Sequence, residues 1–223
     1  MPRSADTTKA RLITAAEQLF AARGIDAVSL REINRAAGSK NAIAVQYHFD
    51  DRDGVLKAIL AKHRPDVESR RHAMLDQYEA DGDPDLRALS AALVRPSAAK
   101  LADDDGGPEY LQISAYLLNR PEAAREAEGP VDRRDSIQRW RLMVEPLLEE
   151  EATRLHRRFT AIRFSAIELG RRAATAPHTD DRLFVSHLVD LVAAILGAPV
   201  SEETVRLADA RDARRRGPRP KRR

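Results

Sequence analysis

Apolar residues return along this chain at intervals of three and four, the spacing of a helix face, and stretches that alternate apolar with polar are missing. The first such face holds Leu12, Ala16, Leu19 and Phe20, with Arg23 in line and Ile13 beside it. It predicts a helix from about Thr8 to Arg23, stopped by Gly24, where a positive φ meets no Cβ. Ser29-Leu30-Arg31-Glu32 then reads as a capping box, its serine and glutamate each serving a free amide at the start of a second helix. Leu30, Ile33 and Ala37 face inward along that helix, and Gly38 ends it. The stretch "SKNAIAVQYHF", residues 39–49, predicts a third helix whose single buried seam is Val45 and Phe49. Its Asn41, Gln46, Tyr47 and His48 would be hard to satisfy in a core, so this helix suits contact with a polar partner. Asp51 is placed to cap a fourth helix, with Val55 and Ile59 inward. Three short helices, the last two joined by a tight glycine turn, make a helix-turn-helix pattern. So small a unit has little apolar area of its own and is expected to lean on the fourth helix.

Farther on, the helical spacing continues but prolines punctuate it. Pro65 is expected to kink or break the fourth helix, and Pro96 to interrupt the next segment. "DGDPDL" (81–86) predicts a turn with a helix start at Asp83-Pro84, and "ADDDGGPEY" (102–110) predicts a loop. Pro121, Gly129-Pro130, Pro146 and "APHTDD" (176–181) divide the second half of the chain. The strongest periodicity comes late. Leu155, Phe159, Ile162, Ala166, Leu169 and Ala173 share one face, and Phe184, Leu188, Leu191 and Ile195 share another, widened by Leu183, Val185, Val189 and Val192. Seams of this spacing pack against another helix at a shallow angle. The two helices, within 153–174 and 180–197, can pair inside the chain. Apolar Phe164 and Ile167 on a further side favour four-helix packing across a two-fold axis. On that reading Phe159, Ile162, Ala166, Leu169, Phe184, Leu188, Leu191 and Ile195 form a homodimer interface. After Pro199 one last helix and a disordered basic tail are expected.

Composition changes the picture in two ways. Ten aromatic residues against a background of Ala, Leu, Arg and Glu make the chain all-α. The absence of cysteine excludes disulfides and thiolate metal sites. No apolar run reaches the roughly 20 residues of a membrane span, and the start has no signal-like apolar core, so a soluble, cytoplasmic protein without a membrane partner is expected. The charge is uneven. Of the net +3, residues 1–64 carry +4 and residues 211–223 carry +7, which leaves −8 on 65–210. Basic ends flanking an acidic body suggest that a polyanion is met by the ends, the tail "RDARRRGPRPKRR" adding non-specific affinity.

The segment "TTKARLITAAEQLFAARGIDAVSLREINRAAGSKNAIAVQYHFDDRDGVLKAIL" (7–60) resembles the DNA-binding domain of the tetracycline-repressor (TetR) family. The shared features are "LFAARG" ending the first helix, "SLREI" opening the second, "AAG" at the turn, and "YHF" followed by Asp51, Arg52 and an aliphatic pair. The resemblance covers about a quarter of the chain. It implies an N-terminal three-helix DNA-binding domain (7–52), a larger helical effector-binding and dimerisation domain (53–200) and a C-terminal helix with its tail (201–223). It further implies a homodimeric transcriptional regulator, usually a repressor, released from its double-stranded DNA operator by a small molecule. Two departures stand out: the interval from Gly38 to "YHF" is one residue longer than the family's common pattern, and Asn34 stands where the family often has alanine.

The residues fit that role. Gln46 can pair with adenine through both amide atoms, and Ala42 and Ala44 let the helix approach closely and touch thymine methyls. Tyr47 and His48 resemble the family's groove-edge and phosphate-contacting positions, Arg52 matches a phosphate-facing basic position, and Lys40 and Asn41 at the helix entrance suit phosphate or a base. Each has an ordinary alternative: Tyr47 as cover for the core, His48 as a local hydrogen-bonding group, Lys40 and Arg52 as solvated charge. For the effector, Tyr78, Tyr110, Tyr116, Trp140 and Met143 lie on the middle helices and suit an apolar or amphipathic ligand, with plain helix–helix core as the alternative. An all-helical enzyme is the rival class. None of the six histidines has a glutamate three residues before it, and HExxH, GxGxxG and phosphate-loop sequences are missing, so no metal, cofactor or catalytic residue is assigned. A purely architectural DNA binder would need no large second domain.

Overall fold

The computed structural model describes residues 3–39, 41, 43–83, 85–121, 134–175 and 177–216, and no strand occurs among them. Its first unit is α1 (Arg3–Arg23), α2 (Leu30–Ala36) and α3 (Ala44–Phe49). The capping box forms: the Ser29 amide donates to Glu32 Oε2 at 2.9 Å, and the Glu32 amide to Ser29 Oγ at 3.3 Å. The third helix is shorter than the sequence implies: it starts at Ala44, and the described residues Ser39, Asn41 and Ile43 lie outside it. There the side chains compete for the backbone: Ser39 Oγ donates to the Asn41 carbonyl and the Ile43 amide to Asn41 Oδ1, at 3.0 and 3.1 Å. Helix α4 (Arg52–Asp81) is capped by Asp51, whose carboxylate accepts from the Gly54 amide at 2.8 Å. Gly54 is obligatory in a steric sense, since a Cβ there would overlap the Phe49 carbonyl where α3 turns into α4. Leu12, Ala16, Phe20, Ile33, Val45, Phe49, Val55 and Ile59 close a core in which α4 supplies the floor.

The body is α5 (Leu86–Ala98), a 3-10 turn (Ala99–Ala102), α6 (Gly107–Leu118), α7 (Ser136–Val144), a second 3-10 turn (Glu145–Leu147), α8 (Glu150–Arg154), α9 (Arg157–Ala174), α10 (Arg182–Gly197) and α11 (Glu202–Arg216). Helix α6 lies along α9, and α5 is held between α4 and α10. The α6–α9 crossing is close because Gly170 faces Ala115 and the Leu111 carbonyl. The second core gathers Leu75, Leu89, Leu93, Trp140, Val144, Leu169, Leu188, Val192 and Leu196.

Several expectations are corrected here. Pro65 lies inside the thirty-residue α4, and Pro96 inside α5; neither breaks its helix. Helix α5 starts at Leu86 behind an Asp85 cap, whose carboxylate accepts from the Arg87 and Ala88 amides, rather than at Asp83; Pro84 lies outside the described residues. The first late helix starts at Arg157, because His156 adopts a φ of 55° and separates it from α8. Leu169 and Leu188 are buried by their own chain at 1% and 2% exposure, so neither lies on an outward interface. The last helix continues to Arg216, through the first part of the expected tail; Gly129, Pro130 and residues 217–223 lie outside the described residues.

The two units meet over a buried polar contact. Glu17 of α1 is fully buried, accepting from His63 Nε2 at 2.8 Å and from Lys62 Nζ at 3.0 Å, both on α4. Lys62 also donates to Asp105 at 2.8 Å, and although burial pulls its pKa down, the bonds to Asp105 and Glu17 more than offset this and hold it above the usual range. Gly106, with φ of 84°, leaves room that a Cβ would take from the Glu17 carboxylate, and His63 stacks on Tyr110 of α6 with ring centroids 4.8 Å apart. Ile113 of α6 completes the first core.

Candidate nucleic-acid interface

Helix α3 has six residues and two faces. Ala44, Val45 and Phe49 point into the core, and Ile43, Gln46 and Tyr47 point out, three and four apart on one stripe. Ile43 is 60% exposed and Tyr47 is 77% exposed. The Tyr47 ring meets His48 edge to face at 5.1 Å, and the half-buried His48 ring is tilted against Phe49 at 6.1 Å. At that exposure the Tyr47 ring touches His48 but does not cover the core.

Two site expectations change. Ala44 is 3% exposed, so it packs inside the unit and is closed to a thymine methyl; Ile43, not singled out from the sequence, is the exposed apolar group at that end. Arg52 turns inward: its Nη2 donates to the Val28 carbonyl at 3.0 Å, and its Nη1 stands 3.8 Å from Asp26. Its Nε is buried without a hydrogen-bond partner. In this arrangement it ties α4 to the α1–α2 link rather than reaching toward a phosphate. Asn41 is exposed but its carboxamide oxygen is engaged by the Ile43 amide. Lys40 and Ala42 lie outside the described residues.

Other contacts carry the geometry of the unit. Arg11 Nη2 donates to the Ala37 carbonyl, joining α1 to the end of α2. Lys9 Nζ sits 5.8 Å from the Phe49 ring centroid. Asn34 of α2 is buried and its Oδ1 accepts from the Val45 amide at 3.1 Å. In the sequence Asn34 shows only as a polar residue at an apolar position; its partner is eleven residues away and cannot be read from spacing.

The five aromatic and methionine positions of the body are not gathered around one open pocket. Tyr110 and Trp140 are buried in the second core, Trp140 Nε1 donating to the Leu89 carbonyl at 2.8 Å, and Tyr78 and Met143 pack against that core. Tyr116 stands apart: its hydroxyl donates to Asp26 on the α1–α2 link, which lifts its pKa above the usual tyrosine range. Two grooves on the described surface lie elsewhere, one lined by Val200, Val205 and Arg206, the other by Arg172, Leu183, Phe184 and His187.

Residues 12–59 match the family described as "Bacterial regulatory proteins, tetR family". A stretch of 117 residues, 51% of this chain, is 38% identical to "Uncharacterized HTH-type transcriptional regulator TtgW" of Pseudomonas putida and spans 75% of it. The chain belongs to the tetR family. It is also similar to "HTH-type transcriptional regulator SrpR", again of Pseudomonas putida, 38% identical over 117 residues. Of that relative the chain spans about half, 47% of the length. The matched helix-turn-helix unit precedes a helical body. No single helix among the described residues is long and apolar enough to cross a membrane; α10 and α11 reach that length only as a pair bent by 61°.

Proposed function

We propose that this tetR-family protein is a transcriptional repressor that binds a pseudo-palindromic operator as a homodimer and leaves it when a small apolar or amphipathic effector occupies the body. The observation that carries the reading is the outward stripe of α3, where Ile43, Gln46 and Tyr47 stand together on a unit otherwise closed around its own core. A helix of this kind enters the major groove, where Gln46 pairs with adenine, Ile43 meets a thymine methyl and Tyr47 follows the groove edge.

A second copy is supported by the outer surface of α9 and α10. Leu183 and Leu191 are exposed at 83% and 37%, and Phe159, Ile162, Ala166, Phe184 and Ile195 are half-buried beside them. The groove lined by Leu183, Phe184 and His187 opens on this face. An exposed apolar surface on a two-helix layer is what four-helix packing across a two-fold axis covers. Effector release is supported by the contact between the units, since α4 and α6 both touch the DNA-binding core and the body.

Selection of full-length protein on random duplex DNA tests the reading. The expected product is a two-fold symmetric site whose half-sites are about 34–36 Å apart, or more if the duplex is unwound. Gln46→Ala should relax base preference at one position per half-site, at a cost of about 1–3 kcal/mol. Enrichment of sequences without two-fold symmetry would refute the operator proposal. A metabolite screen by thermal shift, with operator release as readout, identifies the effector class.

A further inference from the structure

The exposed stripe of α3 depends on how its first turn is anchored, and that anchor comes from another helix. The residue at the N-cap of α3 is Ile43, which has no side-chain oxygen to accept from the helix, and its backbone lies at φ −111°, ψ 14°. An N-cap side chain ordinarily accepts from the second or third helical amide. Here the second is Val45, and the acceptor is the Asn34 carboxamide, 3.1 Å away in a buried setting. The same residue's carbonyl accepts from the Ser39 amide at 3.0 Å. Asn34 therefore holds both the chain leaving α2 and the start of α3. Val45 is fully buried and the next two residues are the exposed Gln46 and Tyr47.

We infer that Asn34 is a positioning residue for base readout, acting through Val45 to set the depth and rotation at which Gln46 and Tyr47 meet the groove. This rests on the operator-binding reading above. Removal of the carboxamide leaves a buried amide unpaired and lets the six-residue helix shift, whereas phosphate attraction, spread over the basic N-terminal unit, is unaffected. A merely structural asparagine would weaken all DNA binding in proportion to lost fold; a positioning one lowers discrimination.

The test compares full-length wild type, Asn34→Ala and Asn34→Asp on the selected operator and on a scrambled duplex across a salt series, with thermal melts to establish folding. The expected result for Asn34→Ala is a loss of roughly tenfold in the ratio of specific to non-specific affinity, with an unchanged salt slope on scrambled DNA. Asn34→Asp keeps an acceptor at a helix N-terminus and should recover most of that ratio. Equal ratios for wild type and Asn34→Ala, or a parallel fall on both duplexes, would overturn the inference. Amide hydrogen exchange on the wild type gives an independent readout: Val45 should exchange as slowly as the α1 core amides, and fast exchange at Val45 overturns the anchor directly. If wild type selects no symmetric site, the operator reading fails first; if it does and Asn34→Ala matches it, only this inference fails.

Discussion

Glu32 shows how one side chain can be held by several small contacts. The Ser29 amide and hydroxyl both reach its Oε2, and Arg23 Nη1 reaches its Oε1 at 2.7 Å. The backbone bond from Ser29, then the Arg23 side chain, hold its pKa down at about 2 from an ordinary 4.5. A carboxyl lowered on folding stabilises the native state above its unfolded value and loses that contribution as pH falls toward the folded one. Glu32→Gln should therefore be less stable than wild type at neutral pH, and the difference should shrink as pH falls from about 4.5 to about 2. Urea midpoints at stepped pH measure it; a difference that stays constant over that window would place the effect elsewhere. The capping box could be read from sequence because both partners lie within four residues. Asn34 and Val45 could not be paired in this way, since their contact exists only after α2 and α3 have turned against each other.

At the scale of the element, α4 is the instructive case. A proline in a helix interior removes one hydrogen bond and costs about 3 kcal/mol, which makes a break at Pro65 a fair expectation from local rules. The helix continues because its inward face is occupied on both sides of that point, by Val55, Ile59 and His63 before it and by Val67, Arg71 and Leu75 after it. Pro65 itself is exposed, so the ring packs against little. Pro65→Ala should restore an amide to the Ala61 carbonyl and raise stability by about 1–3 kcal/mol. A higher melting temperature by circular dichroism is the expected result, and an unchanged or lower one would mean that the proline costs this helix nothing. Helix α3 makes the opposite point. Of its predicted first half, Ser39, Asn41 and Ile43 are tied by side-chain bonds that satisfy the backbone without a helix.

For the whole molecule, the outer face of α9 and α10 separates two kinds of leucine. Leu188 is 2% exposed within its own chain, and its truncation to alanine should cost about 2–5 kcal/mol of stability. Leu183 at 83% has little to lose in the single chain, and Leu191 at 37% has less to lose than Leu188. Leu183→Glu and Leu191→Glu should keep the melting behaviour of the isolated fold and weaken association, because the new charge would be desolvated in a dimer seam. Sedimentation velocity at micromolar concentration reads both. A wild type that sediments as a monomer, or a Leu183→Glu, Leu191→Glu double variant that stays dimeric, would remove this face as the interface.

The chain's order of residues alone determined the helical class, the three-helix start and its family, because these rest on local spacing: Leu12 to Phe20 on one face, the Ser29–Glu32 box, the Asp51 cap. It also marked both late seams as apolar. What it could not decide was which side of a seam the chain itself covers, so Leu169 and Leu188 read the same as Leu191. Periodicity states that a face is apolar and is silent on what buries it. Likewise Ala44 and Ile43 both sit near the start of α3, and only the packing of α3 on α2 turns the first inward and the second out. Arg52 was legible as a cation, but its direction depended on Val28 and Asp26, more than twenty residues back along the chain. The same holds for the Glu17–His63 contact, whose members lie 46 positions apart and meet only because α1 crosses α4. Contacts within a turn or two are written in the sequence; long-range ones are set by which helices share a core.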